Sequence, residues 1–217
     1  ATTADLPEAS LPPVFPTPLR LEPGTGQLRW SAMPVLQAPP ALKGLAGQAD
    51  AMLQPYFAPR AAPAGGQHLL QLDLGSVAGQ SSPEAYELAI DASRGARITA
   101  ASPAGVARGL QSLRELLPLR PTSAAAPSPV DLPALVIRDA PRFAYRGLMM
   151  DVARNFQPKA VVLRTLDLMA RYKLNALHLH LTDDEGWRLQ IAALPELTQV
   201  GARRGHIGEQ AAGAKAH

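Results

Sequence analysis

Two short polar clusters hold most of the residues able to do chemistry. The first is Asp151-Val152-Ala153-Arg154, at the end of the apolar run GLMMDV. The second is Asp183-Asp184-Glu185-Gly186-Trp187-Arg188, after the run NALHLHL. Paired carboxylates can serve glycoside hydrolysis or bind a divalent ion. Neighbouring side chains diverge, so at most two of Asp183, Asp184 and Glu185 can face one cleft. Arg154 offers a planar fork of donors suited to a substrate's hydroxyls or to a carboxylate. It is equally suited to a buried ion pair with Asp183 or Asp151, and the two roles are compatible. A blander alternative for the second cluster is solvated loop charge, with Asp184 pairing Arg188 across one turn. His178 and His180, two apart on a strand, share one face, as zinc ligands often do. Packed, hydrogen-bonded histidines would satisfy the same pattern. Nothing in the spacing fixes a third ligand, and nothing orients His206, so no metal is expected. Trp187 either shapes the rim by packing or stacks on a sugar ring.

These clusters need elements to hold them. GLMMDV, residues 147–152, has the length and continuous apolarity of a strand covered on both faces. Pro158 predicts a helix that it opens at N1, with Val162, Leu166 and Met169 on the buried side. Residues 175–181 form a second strand. Strand, helix and strand make a right-handed βαβ unit, the way a parallel sheet or barrel begins. Both polar clusters then sit at the C-terminal ends of parallel strands, on the rim where such folds bind ligands. One such unit cannot bury its own faces and leaves both strand edges open.

The preceding residues read differently. Residues 1–40 are rich in proline, including Pro12, Pro13, Pro16, Pro18, Pro23, Pro34, Pro39 and Pro40, which predicts an extended lead-in with at most short edge strands. Leu42, Leu45, Ala49, Met52, Leu53 and Phe57 make one helical stripe over 41–57. Alternation predicts strands at 68–74 and 84–90, with a short one at 97–101. Ser102 and Pro103 suit N-cap and N1 of a helix over 104–117, with Val106, Leu110, Leu113 and Leu117 on one face. Residues 122–129 read as surface loop, 130–137 as a last strand and 201–217 as loop. The division is an extended lead-in over 1–13, a small α+β domain over 14–140 and a βαβ unit over 141–217.

Composition removes several classes. The chain has 217 residues, 47% of them hydrophobic, enough for a packed core. With no cysteine, a disulfide framework, a thiolate zinc site and a cysteine nucleophile are excluded. The net charge of +3 comes from interspersed residues, without the basic patch that nucleic-acid binding needs. No apolar run reaches the ~20 residues of a membrane span. No Gly-rich phosphate loop and no Gly-x-Ser-x-Gly elbow occur. The start, Ala1-Thr2-Thr3-Ala4, looks like either a mature protein after signal-peptide removal or a trimmed chain.

From Tyr145 to His206 the sequence resembles the opening of the catalytic barrel in glycoside hydrolase family 20 β-N-acetylhexosaminidases, especially the bacterial chitobiase-like branch. The motifs that carry it are RG-x3-D-x2-R, then KLN-x2-H-x-H-x2-DD-x-GWR, then PEL. Upstream, EAYELAI and GVARGLQSLRELL resemble the small α+β domain that precedes that barrel. The resemblance implies an α+β domain followed by the start of a (β/α)8 TIM barrel, here its first βαβ unit. It implies hydrolysis of terminal β-linked N-acetylglucosamine or N-acetylgalactosamine. It implies a retaining, substrate-assisted mechanism, a known departure from the two-carboxylate scheme, with no cofactor. Arg154 matches the arginine that holds the sugar's 3- and 4-hydroxyls. Asp183 matches the acid at the end of the second strand, and Asp184 is a further substrate-binding candidate.

The family's Asp-Glu pair, in a His-x-Gly-Gly-Asp-Glu-like motif on a later strand, has no counterpart after Trp187, so no catalytic residue is assigned here. The chain alone is expected to be inactive. Its expected partners are N-acetylhexosamine-terminated oligosaccharides and the missing C-terminal part of the same enzyme, with no nucleic acid and no membrane span. Its expected location is periplasmic or extracellular. A non-catalytic carbohydrate-binding or interaction module is the competing reading. A half-built barrel with Arg154 at a strand end argues against it.

Overall fold

A computed structural model describes residues 14–57, 68–118 and 129–203. The expected lead-in over 1–13, most of the loop over 122–129, and His206 with the tail beyond 203 lie outside the described residues. The chain divides into two compact units, Ala1–Arg142 and Phe143–His217.

The first unit is a six-stranded mixed sheet with two helices. Its strands are β1 (Arg20–Trp30), β2 (Val35–Gln37), β3 (Leu69–Leu74), β4 (Tyr86–Asp91), β5 (Gly95–Ala100) and β6 (Val130–Asp139). They lie in the order β1-β6-β4-β5-β3-β2, with β3 parallel to both β2 and β5 and the remaining pairs antiparallel. Alternation does the sorting. In β4, Tyr86, Leu88 and Ile90 are buried, while Glu87 and Asp91 are not. The proline-rich stretch holds more structure than its composition predicts, since β1 runs for 11 residues. It does so as an edge strand with a register shift between Pro23 and Gln27. An edge tolerates a residue that cannot donate to a ladder.

Helix α1 (Lys43–Leu53) is flanked by single 3-10 turns at Pro40–Leu42 and Gln54–Tyr56. Helix α2 (Pro103–Leu116) starts as the sequence predicts. Ser102 Oγ accepts from the amides of Ala104 at 3.1 Å and Gly105 at 3.4 Å, and Pro103 takes the first turn. The side chain also donates to Pro83 O at 2.6 Å, tying the cap to the loop before β4. Gly105 lets α2 sit directly on the sheet, because a Cβ there would collide with Ala85 O and the Ala100 methyl. Beneath it Tyr86 bonds Ser112 Oγ at 2.6 Å and donates to Asp139 Oδ2 at 3.2 Å. Burial, and next the Asp139 charge, push the phenol well above its ordinary pKa, so it stays a neutral donor.

The second unit holds β7 (Gly147–Asp151), α3 (Lys159–Arg171), β8 (Ala176–His180) and a short α4 (Glu196–Gln199). Strands β7 and β8 pair parallel, Gly147 opposite Ala176 through Asp151 opposite His180. Two expectations need correction. Pro158 is the N-cap of α3, not its first helical residue, because its ψ of 154° is extended. And β7 is not covered on both faces: Leu148 and Met149 are exposed, as is Leu166 on α3, while Met169 is buried. A two-stranded sheet with one crossover helix has too little surface to cover these faces.

The crossover closes tightly. Lys173 takes the left-handed conformation (φ 57°) just past the helix. Leu174 N–H donates to Met169 O at 2.8 Å and Lys173 N–H to Ala170 O at 3.0 Å, the paired bonds of a Schellman ending. A clamp then joins the two strand starts. Arg146 N–H donates to Asn175 Oδ1 at 2.9 Å, Asn175 N–H to Arg146 O at 2.9 Å, and Asn175 Nδ2 to Ala144 O at 2.7 Å. The Arg146 guanidinium reaches Lys173 O at 2.9 Å and Phe143 O at 2.7 Å.

Candidate functional site

With both strand starts fixed, the parallel register puts Asp151 and His180 side by side at the opposite end. The ladder extends one step further, Val152 N–H donating to His180 O at 3.1 Å. There β7 turns sharply. Asp151 Oδ1 accepts the amide of Arg154 at 2.7 Å, and Asp151 O accepts Asn155 N–H at 3.2 Å. This turn carries Arg154 to the rim.

The loop after β8 brings the partner. Arg154 Nε donates to Asp183 Oδ2. Asp183 Oδ1 accepts the amide of Asp184 at 2.9 Å. The Arg154 hydrogen bond, and next that amide, hold the Asp183 carboxyl well below the usual carboxylate range, and the guanidinium's affinity for its proton rises correspondingly. Asp183 is therefore ionised at neutral pH and serves as an anchor. Among the described residues, only Nε of the Arg154 guanidinium is committed. Its two Nη groups have no partner among the described residues, and the side chain is 55% exposed. A guanidinium gripped at one edge and open along the other is preorganised to donate two hydrogen bonds to a ligand.

The loop's shape has its own supports. Gly186 has φ 77°, and a Cβ there would strike Ala153 O, so glycine alone allows the loop to cross close to the β7 turn. Arg188 donates to Val152 O at 3.1 Å and Ala202 O at 2.8 Å, and lies over the Phe156 ring at 4.8 Å. The Asp184–Arg188 pair of the blander alternative does not form, because Arg188 is turned inward to these carbonyls. The Trp187 indole N–H donates to Leu189 O, which fixes the ring within the loop.

The structure thus brings Asp151, Arg154 and Asp183 together and leaves Asp184 aside. The Asp184 carboxylate is exposed, makes no hydrogen bond among the described residues, and reaches Arg154 only through its charge. His178 is exposed, whereas His180 points at Asp183, with Nε2 3.4 Å from Oδ2. Donor atoms of Asp151, His180 and Asp183 lie within 4.8 Å of one another, a set able in principle to hold a cation. The Arg154 guanidinium already supplies positive charge to that set. The place of His180 here was not legible from the histidine pair alone. The parallel register opposite Asp151 is what reveals it.

Two family profiles match the chain. One, glycosyl hydrolase family 20, domain 2, covers residues 11–140. The other, the family's catalytic domain, covers residues 143–215. The chain belongs to glycoside hydrolase family 20. It is 71% identical over 73 residues to the N,N'-diacetylchitobiase of Vibrio harveyi, covering 34% of this chain and 8% of that protein. It is 49% identical over 118 residues to a beta-hexosaminidase of Vibrio vulnificus, covering 54% of this chain and 13% of that one. Among solved structures it is similar to the Vibrio harveyi GH20 exo beta-N-acetylglucosaminidase in complex with N-acetylglucosamine. That match has a TM-score of 0.74 at 29% identity and covers 88% of this chain and 29% of that one. A mutant Streptomyces plicatus beta-hexosaminidase in complex with product matches with a TM-score of 0.73 at 33% identity, over 86% and 38% of the two chains. The chain therefore spans well under half the length of the relatives it matches.

Proposed function

We infer that this chain contributes the small α+β domain and the first βαβ unit of the catalytic barrel to an exo-β-N-acetylhexosaminidase. The enzyme would remove terminal β-linked N-acetylglucosamine or N-acetylgalactosamine from oligosaccharides. The observation that carries this reading is Arg154, held at Nε by Asp183 and open at both Nη groups on the C-terminal rim of β7. Two adjacent hydroxyls of a terminal sugar match the spacing of two guanidinium donors. Such a clamp recognises a chain end, because a linked sugar no longer offers both hydroxyls. The similar Vibrio harveyi and Streptomyces plicatus enzymes were solved in complex with N-acetylglucosamine, which supports the same substrate class here.

Cleavage in this reading is retaining and substrate-assisted, with the 2-acetamido oxygen attacking the anomeric carbon. The proton donor and its aspartate partner come from outside these residues in this reading: the adjacent pair Asp184-Glu185 belongs to the DD-x-GWR motif after β8 and not to a His-x-Gly-Gly-Asp-Glu-like one, and the later glutamates, Glu196 and Glu209, have no aspartate beside them. The 217-residue chain alone is accordingly inactive in this reading. A periplasmic or extracellular location suits an enzyme whose polymeric substrate lies outside the cell.

The test is the complete enzyme carrying residues 1–217, assayed on an aryl N-acetyl-β-glucosaminide. Arg154→Ala should lower kcat/KM by roughly a hundredfold or more, since a charge-assisted hydrogen bond contributes about 1.5–3 kcal/mol. Arg154→Lys should recover only part, because a point charge lacks the two-pronged geometry. Wild-type kcat/KM in Arg154→Ala would remove the assignment.

A further inference from the structure

His180 closes β8 directly beneath the loop that carries Asp183. Its Nε2 is shut off from solvent and has no hydrogen-bond partner among the described residues. The atom lies 3.4 Å from Asp183 Oδ2, the same oxygen that receives Arg154 Nε. A buried polar nitrogen without a partner is unfavourable unless a nearby charge engages it. A ring lone pair turned towards a carboxylate would be repelled, so Nε2 is the nitrogen that carries the proton. Asp183 is thereby addressed from three sides: the Asp184 amide on Oδ1, and Arg154 and His180 on Oδ2. The sequence pattern alone left His180 between a metal pair and a packed, hydrogen-bonded strand histidine, and the guanidinium on Asp183 now stands where a cation would have to compete.

We propose that His180 is a positioning residue for Arg154, acting through Asp183. Its Nε2–H holds Oδ2 where the guanidinium Nε meets it, so that both Nη groups remain available to the ligand. When a sugar's hydroxyls draw on the guanidinium, its hold on Oδ2 weakens, and His180 is placed to close the 3.4 Å gap and keep the carboxylate from rotating. This role rests on Arg154 being the sugar contact, and the test separates the two ideas.

In the complete enzyme, His180→Leu should lower kcat/KM about tenfold, chiefly through KM, because it loosens a contact made in ground and transition states alike. His180→Gln, which returns an N–H donor, should recover part of that loss. In an Arg154→Ala background, His180→Leu should cost nothing further, since residues acting as one chain are not additive. A general packing role predicts equal losses in both backgrounds, and that result would overturn the proposal. So would wild-type kinetics in His180→Leu. Where the leucine variant does not fold, His180→Gln with and without Arg154→Ala makes the same comparison. A damaged Arg154→Ala beside an undamaged His180→Leu sinks the positioning role alone, whereas an undamaged Arg154→Ala sinks the sugar contact with it. Activity lost to a chelator and restored by zinc would also overturn the proposal and assign Asp151, His180 and Asp183 to a cation.

Discussion

Strands β4 and β7 belong to the same polypeptide and obey different rules. In β4 the buried and half-buried positions alternate, and Leu88 is wholly inaccessible between α2's layer and its strand neighbours. In β7, Gly147, Leu148 and Met149 are all exposed in succession. Helices show the same contrast. On α2, Val106, Leu110, Leu113 and Leu116 are buried, whereas on α3, Val161, Leu163, Leu166 and Leu168 are all exposed. The first unit has a core of its own. The second carries a core's residues without the partners to cover them, since a parallel pair needs further strands or helices to dry its faces. A rim can therefore be well ordered by local hydrogen bonds, as Arg154 and Asp183 are, on a body that hydrophobic burial has not completed.

Separating the units should give the largest effect on this contrast. Residues 14–142 alone should melt cooperatively, while residues 143–217 alone should bind a hydrophobic dye and lack a sharp transition, because large exposed apolar surface favours association. A cooperative melt and no dye binding for the second piece would erase the contrast. A smaller, sharper comparison uses single truncations. Leu88→Ala should destabilise by about 2–5 kcal/mol through lost burial and a cavity. Leu163→Ala in this same 217-residue chain should stay within about 0.5 kcal/mol. Chemical denaturation of the two variants checks this, and equal losses would show that α3 is covered after all.

Sequence alone reveals the contrast only in part. Ser102, Pro103 and the alternation in β3 and β4 are local signals, and the structure repeats them. The length of β1 is not local: its partner β6 pairs Arg20 with Arg138 and Trp30 with Val130, and no neighbouring residue announces that. The parallel position of β3 between β2 and β5 is likewise a property of the assembled sheet. At the rim, meeting of Arg154 and Asp183 follows from two strand ends on one side. That Asp183 and not Asp184 turns inward depends on how Gly186 bends the loop, which residue types alone do not encode.

The smallest expected effect concerns pH. The Arg154 hydrogen bond lowers the Asp183 pKa below its usual value. For a depressed carboxylate the stabilisation is fully present above the unfolded-state pKa, about 4. It fades only as pH falls from there through the lower folded-state value. In the complete enzyme, the difference in melting temperature between wild type and Asp183→Asn should stay constant from neutral pH to about 4 and narrow only below it. Narrowing already between pH 6 and 5 would show that Arg154 does not grip this carboxylate.

The clamp of Arg146 and Asn175 distributes risk unevenly along the two strands. At their starts, several hydrogen bonds among the described residues share the task, including those at 2.9, 2.9, 2.7, 2.9 and 2.7 Å. Losing one leaves the others, and the register of β7 on β8 survives the error. At their ends, Arg154 hangs on a single carboxylate. Redundancy thus lies where the chain must be aligned, and less of it lies at the end proposed to meet a sugar. Inherited variation should accordingly be absorbed at one end of this pair and, if the proposal holds, felt in recognition at the other.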